Sequence, residues 1–159
     1  MDELLKLLRD DASLTPAQLA PMLQMSEDDV ATKIKSLEDD KTILAYHAVL
    51  NEEKLAVDDV RAVIEVKITP ERGGGFDRIA QRIARYSEVS TCYLMSGAYD
   101  LLVVVEGTDL KKVASFVSEK LATIEGVLST ATHFMLKTYK QQGVLMQGEK
   151  NEDRLAVSP

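Results

Sequence analysis

The sequence predicts an α+β fold in two parts. Three short helices and an extended wing-like segment come first, followed by a β-α-β-β-α-β order built on an antiparallel sheet. Three observations carry this. Apolar residues recur at helical spacing through Leu37, the period drops to two from Val60 onward, and helical spacing then returns twice between strand-like runs. The 159 residues suffice for one ordinary domain or two small ones, and a chain that is 45% apolar and 28% charged can bury a core.

Each element has its own signal. Leu4, Leu5, Leu7 and Leu8 give residues 2–10 one apolar face. Thr15 as N-cap, Pro16 at the first helical position and Gln18 closing a capping box open a second helix, striped by Leu19, Ala20 and Leu23. Pro21 removes a hydrogen bond inside it, so a kink or a short helix is expected. The third helix starts at Ser26, with Asp29 as capping partner and Val30, Ile34 and Leu37 at helical spacing. Residues 42–50 are extended and suit a two-stranded wing or pairing with another strand, and 51–59 read as a polar linker.

In the second part, Ala62, Ile64, Val66 and Ile68 alternate with Arg61, Val63, Glu65 and Lys67, the pattern of a half-buried strand. Pro70 and Gly73-Gly74-Gly75 make a turn, and Phe76, Ile79, Ala80 and Ile83 mark a helix. Thr91–Met95 and Leu101–Val105 read as strands joined by a tight turn at Ser96-Gly97-Ala98-Tyr99. Leu110, Val113, Ala114, Val117 and Leu121 mark a helix capped by Thr108 or Asp109, and Leu128–Thr138 is the last strand. This order is ferredoxin-like, with two helices on one face of a four-stranded sheet. Domain boundaries are therefore expected at 1–50, a linker at 51–59, 60–140, and a polar tail or exchanged arm over 141–159. The three helices and wing fit a winged helix-turn-helix, whose third helix can enter a DNA major groove.

Composition narrows the function. Cys92 is the only cysteine, so no intrachain disulfide can form, and within an apolar strand it reads as a small buried residue. An acidic N-terminus and the lack of any apolar run near the ~20 residues of a membrane span make a cytoplasmic protein, with no membrane partner, the expectation. The two histidines, His47 and His133, lie in different parts, so neither a metal site nor another cofactor is expected. Gly73–Gly75 lack a phosphate-loop context and read as a flexible turn. Without Trp, broad stacking of single-stranded nucleic acid is disfavoured. The net charge of −7 is uneven: residues 1–58 hold 6 Lys/Arg against 13 Asp/Glu, and residues 59–159 hold 13 of each. Taken alone, this argues against nucleic-acid binding through positive charge.

Two constellations carry candidate chemistry. On the third helix, Thr32, Lys33, Lys35 and Ser36 form the face that can touch phosphates or base edges, although Glu27-Asp28-Asp29 opens the same helix with acids. In Ser96-Gly97-Ala98-Tyr99-Asp100, Gly97 is expected to supply an unusual backbone dihedral. The Asp100 carboxylate can accept an α-ammonium group while the turn's N–H groups hold an α-carboxylate. Thr132 and His133 on the last strand are second choices for lining this site, and as neighbours on a strand they face opposite sides.

Several strings occur together in one order: S-E-D-D-V-A-T-K-I-K-S-L-E-D-D-K-T-I-L-A-Y-H-A-V-L-N at 26–51, S-G-A-Y-D at 96–100, and I-E-G-V at 124–127 followed by Thr132. Together they resemble the Lrp/AsnC family of bacterial and archaeal regulators over about residues 1–140. The chain departs from the family pattern at Ala45, where Gly usually precedes Tyr, and at the acidic opening of the third helix. The resemblance implies a domain that binds double-stranded DNA. It also implies a RAM module that dimerises and binds a small effector, commonly an amino acid, where two modules meet near the Gly-x-Tyr-Asp turn. Homodimers assembling into tetramers or octamers are implied as well. The function expected is a transcriptional regulator and not an enzyme, with no catalytic residues. The alternatives are an enzyme resembling the sirohaem decarboxylases, which share this architecture, and a sensor or assembly protein that does not bind DNA.

Overall fold

The computed structural model describes residues 2–55, 59–70 and 72–146. The chain divides into two compact units, Met1–Leu50 and Asn51–Pro159.

The first unit holds three helices, α1 (Glu3–Asp10), α2 (Pro16–Leu23) and α3 (Glu27–Asp39). Each starts where a side chain satisfies free N–H groups of the first turn. Asp2 accepts from the Leu4 N–H, Thr15 and Gln18 form the full capping box, and Ser26 accepts from the Asp29 N–H. Gln24, with φ 54°, ends α2 in the left-handed conformation, and the Met25 N–H returns to the Ala20 carbonyl at 3.0 Å. Pro21 is accommodated in a helix of only 8 residues. The core is small: Leu4, Leu8, Leu19 and Val30 are buried, with Ile34, Leu37 and Ile43 packed against them.

The wing expected over 42–50 does not pair as a β-strand among the described residues. The segment is anchored by the Ile43 N–H on the Leu37 carbonyl at 2.9 Å and by the Tyr46 hydroxyl donating to Glu38 at 2.9 Å. The rest of the unit's described elements are helices, so the segment has no strand to pair with inside it.

The second unit contains β1 (Val60–Ile68), α4 (Asp77–Ala84), β2 (Val89–Leu94), β3 (Leu101–Gly107), α5 (Leu110–Ser115) and β4 (Val127–Phe134). The strands form one antiparallel sheet in the order β2-β3-β1-β4. Ala62, Ile64, Val66 and Ile68 of β1 and Leu101, Val103 and Val105 of β3 point to one face, where they bury Ile79 and Ile83 of α4 and Val113 of α5. Asp109 is the α5 cap, accepting from the Lys112 N–H at 2.8 Å.

Two boundaries move. The helix expected to run to Leu121 is α-helical only to Ser115, and Phe116–Leu121 form a wider π-helical turn with the Ala122 N–H on the Val117 carbonyl. The last strand, expected to reach Thr138, stops at Phe134 because its partner β1 pairs only as far as Ala62 there. Part of the expected polar tail also takes regular structure. Residues β5 (Lys140–Gln141) and β6 (Val144–Leu145) pair as a hairpin, and Met146 is buried with its N–H on the Tyr139 carbonyl. The rest of that tail, 147–159, and 56–58 of the expected linker lie outside the described residues.

The other face of the sheet has no helix over it among the described residues. Two cross-strand rows run along it: Thr91, Val104, Val63 and His133, then Tyr93, Leu102, Glu65 and Ala131. Tyr93 is 59% exposed there.

Candidate functional site

On α3, Thr32, Lys35 and Ser36 lie about one helical turn apart and share a stripe. Lys33 does not share their situation. Its Nζ lies 2.8 Å from the Asp2 carboxylate, and both side chains are half-buried. The Lys33 hydrogen bond, helped by the Leu4 N–H, holds the Asp2 carboxyl below its ordinary range. Lys33 therefore ties α3 to the start of α1. Of the three acids that open α3, Asp29 also has a local role. Its carboxylate accepts from the Ser26 hydroxyl at 2.6 Å while its N–H donates back to the Ser26 Oγ. That pair explains one carboxylate. Glu27 and Asp28 stand exposed in the first turn, where they favour the helix dipole and repel phosphate.

The second site is the turn between β2 and β3. Its carboxylate is built into the sheet. Asp100 Oδ2 accepts from the Ile68 N–H at 2.8 Å, and the Asp100 N–H donates to the Val66 carbonyl at 3.0 Å. The Asp100 carbonyl in turn accepts from the Met95 N–H at 2.8 Å, closing the turn. The turn is thus docked on the end of β1, 32 residues away in sequence. Ser96, Gly97 and Ala98 are exposed, and Tyr99 and Asp100 half-buried. Among the described residues, the N–H groups of Ser96, Gly97, Ala98 and Tyr99 reach no protein acceptor. Four successive open donors next to one anchored carboxylate suit a ligand bearing both a carboxylate and an ammonium group. Gly97 is not where the unusual dihedral falls. Its φ is not positive, and a Cβ there would meet nothing within 4 Å.

Thr132 and His133 are not brought to this turn within one subunit. They pair with Ile64 and Val63, whereas the turn docks at Val66–Ile68, so about 13 Å of strand separates the level of Thr132 from that of Ile68. Thr132 shares the helix-covered face with Ile64. His133 lies on the open face, with Nε2 3.5 Å from Glu65. The β4 residues level with the turn are Ser129 and Thr130, opposite Lys67 and Val66. Sequence reasoning missed them. The usable signal is Gly126, which enters β4 at φ +94° and gives its carbonyl to the Thr69 N–H at 2.8 Å, setting the β4 register. Cys92 is half-buried, and burial raises its thiol pKa. No group of His, Cys, Asp and Glu suited to holding a metal occurs among the described residues. No helix among them is long and apolar enough to cross a membrane.

A helical unit followed by an antiparallel sheet, with a docked Ser-Gly-Ala-Tyr-Asp turn, is the layout of a two-part ligand-sensing regulator. The sequence profile of the Lrp/AsnC ligand binding domain matches residues 61–145. The chain is 42% identical to the uncharacterized HTH-type transcriptional regulator YugG of Bacillus subtilis, over 99% of this chain and 95% of that one. It is 30% identical to the proline dehydrogenase transcriptional activator of Rhizobium radiobacter, over 89% and 90% of the two chains. A transcriptional regulator of Neisseria meningitidis, solved in complex with L-methionine, superposes with a TM-score of 0.68 at 26% identity, covering 89% of this chain and 93% of that one. The chain belongs to the Lrp/AsnC family of transcriptional regulators and carries its ligand-binding domain.

Proposed function

We propose that this regulator binds double-stranded DNA through a winged helix-turn-helix over residues 1–50. Residues 51–59 link it to an effector-binding and oligomerising domain at 60–140. The α2–α3 junction turns at the left-handed Gln24, and α3 is the reading helix, with Thr32, Lys35 and Ser36 as its contact stripe. Lys33 is reassigned to holding the fold. With few cations per subunit, binding relies on two or more subunits engaging DNA together.

The effector is a small amino acid. The observation that carries this is the set of four open N–H groups beside Asp100, whose Oδ2 is taken up by Ile68. The L-methionine bound by the Neisseria relative supports the same ligand class. The open sheet face, with Val63, Tyr93, Leu102, Val104 and Ala131, is the surface on which a second copy packs, and further assembly to a tetramer or octamer brings Thr132 or His133 of other copies towards the turn. Effector binding between copies then changes their packing and the spacing of the DNA-reading helices, coupling the two sites. The site acts by binding, with no catalytic step, in the cytoplasm.

The test is a gel shift with the protein's own upstream DNA across a salt series, with and without each of the twenty amino acids. Binding that weakens steeply with salt, and that one amino acid shifts, is the expected result. No binding at low ionic strength overturns the DNA assignment, and binding that no amino acid alters overturns the effector assignment.

A further inference from the structure

The turn at Ser96–Asp100 lies at the start of β3. At the other end of that strand, six residues and about 20 Å away, the structure holds a separate cleft of about 570 Å³. This is the size of small-molecule sites. Its floor is Val105, Val113 and Phe116, all at most 3% exposed. The π-helical turn shapes one wall. Its wider winding brings Phe116 and Lys120, four residues apart, onto the same side, so that the Lys120 ammonium stands 5.9 Å from the Phe116 ring and 5.7 Å from the Tyr86 ring. Glu88 binds the same ammonium, so Lys120 is held from three directions at the mouth of the cleft.

The rim charges divide into committed and uncommitted groups. Glu88 is committed to Lys120, Glu106 to Arg61 at 3.0 Å, and Asp109 to the Lys112 N–H and the Thr108 hydroxyl. Lys111 and Lys112 also line the cleft, and among the described residues neither has a carboxylate within ion-pair distance. What the cleft offers a ligand is therefore an apolar floor beneath two uncommitted ammonium groups.

We propose that this cleft is a second small-molecule site, taking a monocarboxylate with a branched apolar body. The body lies on Val105, Val113 and Phe116, and the carboxylate is received by Lys111 and Lys112. Both an α-amino acid and its 2-oxo acid meet this description, and the proposal does not depend on the turn site or on DNA binding.

The probes are L-leucine and 4-methyl-2-oxopentanoate, titrated into the full-length protein and followed by backbone amide NMR and calorimetry. At least one is expected to bind and to shift amides of residues 105–120. The K111Q/K112Q variant is expected to lose about tenfold in affinity while its circular dichroism is unchanged, and the same double charge removal at Lys6 and Lys41 is expected to have no effect. If leucine alone binds, the ammonium group contributes, and Glu119 on the rim is its partner. If the oxo acid binds as well or better, the carboxylate and body suffice. The proposal is overturned if neither probe binds at millimolar concentration, if the shifts are confined to residues 96–100, or if K111Q/K112Q binds as tightly as the parent.

Discussion

The two units are stabilised on different scales. Residues 1–50 depend on four buried apolar side chains and on caps that bond within three residues of themselves. The sheet unit depends on thirteen buried apolar residues and on contacts such as Asp100 to Ile68 and Arg61 to Glu106, which join positions 32 and 45 residues apart. The acidic excess of the chain lies in the smaller unit and its linker. The difference teaches that the two candidate sites are built differently. The α3 stripe is the outer surface of a locally specified helix, whereas the Asp100 turn exists only because a distant strand receives it.

The largest expected effects test whether the smaller core stands alone. Leu19→Ala removes one of four buried anchors and should cost about 3 kcal/mol. Thermal melts followed by amide NMR should then lose the signals of residues 3–39 well before those of residues 60–134. Simultaneous loss of both sets would end the picture of two separately stabilised cores.

Gly126→Ala tests the larger unit. Its φ of +94° strains any L side chain, and the new Cβ would come within 2.6 Å of Ile79 Cδ1. A loss of about 2 kcal/mol in chemical denaturation is expected. An unchanged midpoint would show that β4 tolerates another entry.

The Asp100 turn permits a cleaner separation. Asp100→Ala leaves the Ile68 N–H without its acceptor and should cost about 1–2 kcal/mol. Asp100→Asn retains an acceptor but loses the charge, so stability should stay near the parent's while amino-acid affinity falls. Equal loss of stability in both variants would mean that the charge itself is structural.

A smaller effect is expected on α3. Neutralising Glu27 and Asp28, while leaving the Asp29–Ser26 pair intact, should tighten DNA binding a few-fold at low salt. Lys35→Gln should weaken DNA binding, whereas Lys33→Gln should mainly lower the melting temperature of the first unit. Reversed outcomes would return Lys33 to the DNA face.

The smallest effect is on pH. Asp2, Asp11 and Asp40 in the first unit are held below the ordinary aspartate value of 3.8, Asp2 by Lys33, Asp11 by Ser13 and Asp40 by Thr42. The unfolded chain then binds more protons than the folded one, so this stabilisation is present above that value and is lost as pH falls through the folded values. Acid titration should loosen the first unit below about pH 4. Rising stability in that range would contradict the assigned partners.

The sequence by itself determined the elements, three of the helix starts by named caps, the alternation that buries one face of β1, and the family to which the chain belongs. These are decided by groups within a few residues of one another, so they can be read along the chain. Tertiary structure decided the rest. It tied Lys33 to Asp2 and took it from the exposed stripe of α3. It gave Asp100 a backbone partner 32 residues away, set Thr132 and His133 on opposite faces away from the turn, and brought Ser129 and Thr130 to its level. It also left 42–50 unpaired and folded 140–146 into a hairpin. The reason is register: which strand residues stand side by side is set by pairing across the sheet, and no local pattern in the sequence encodes that offset.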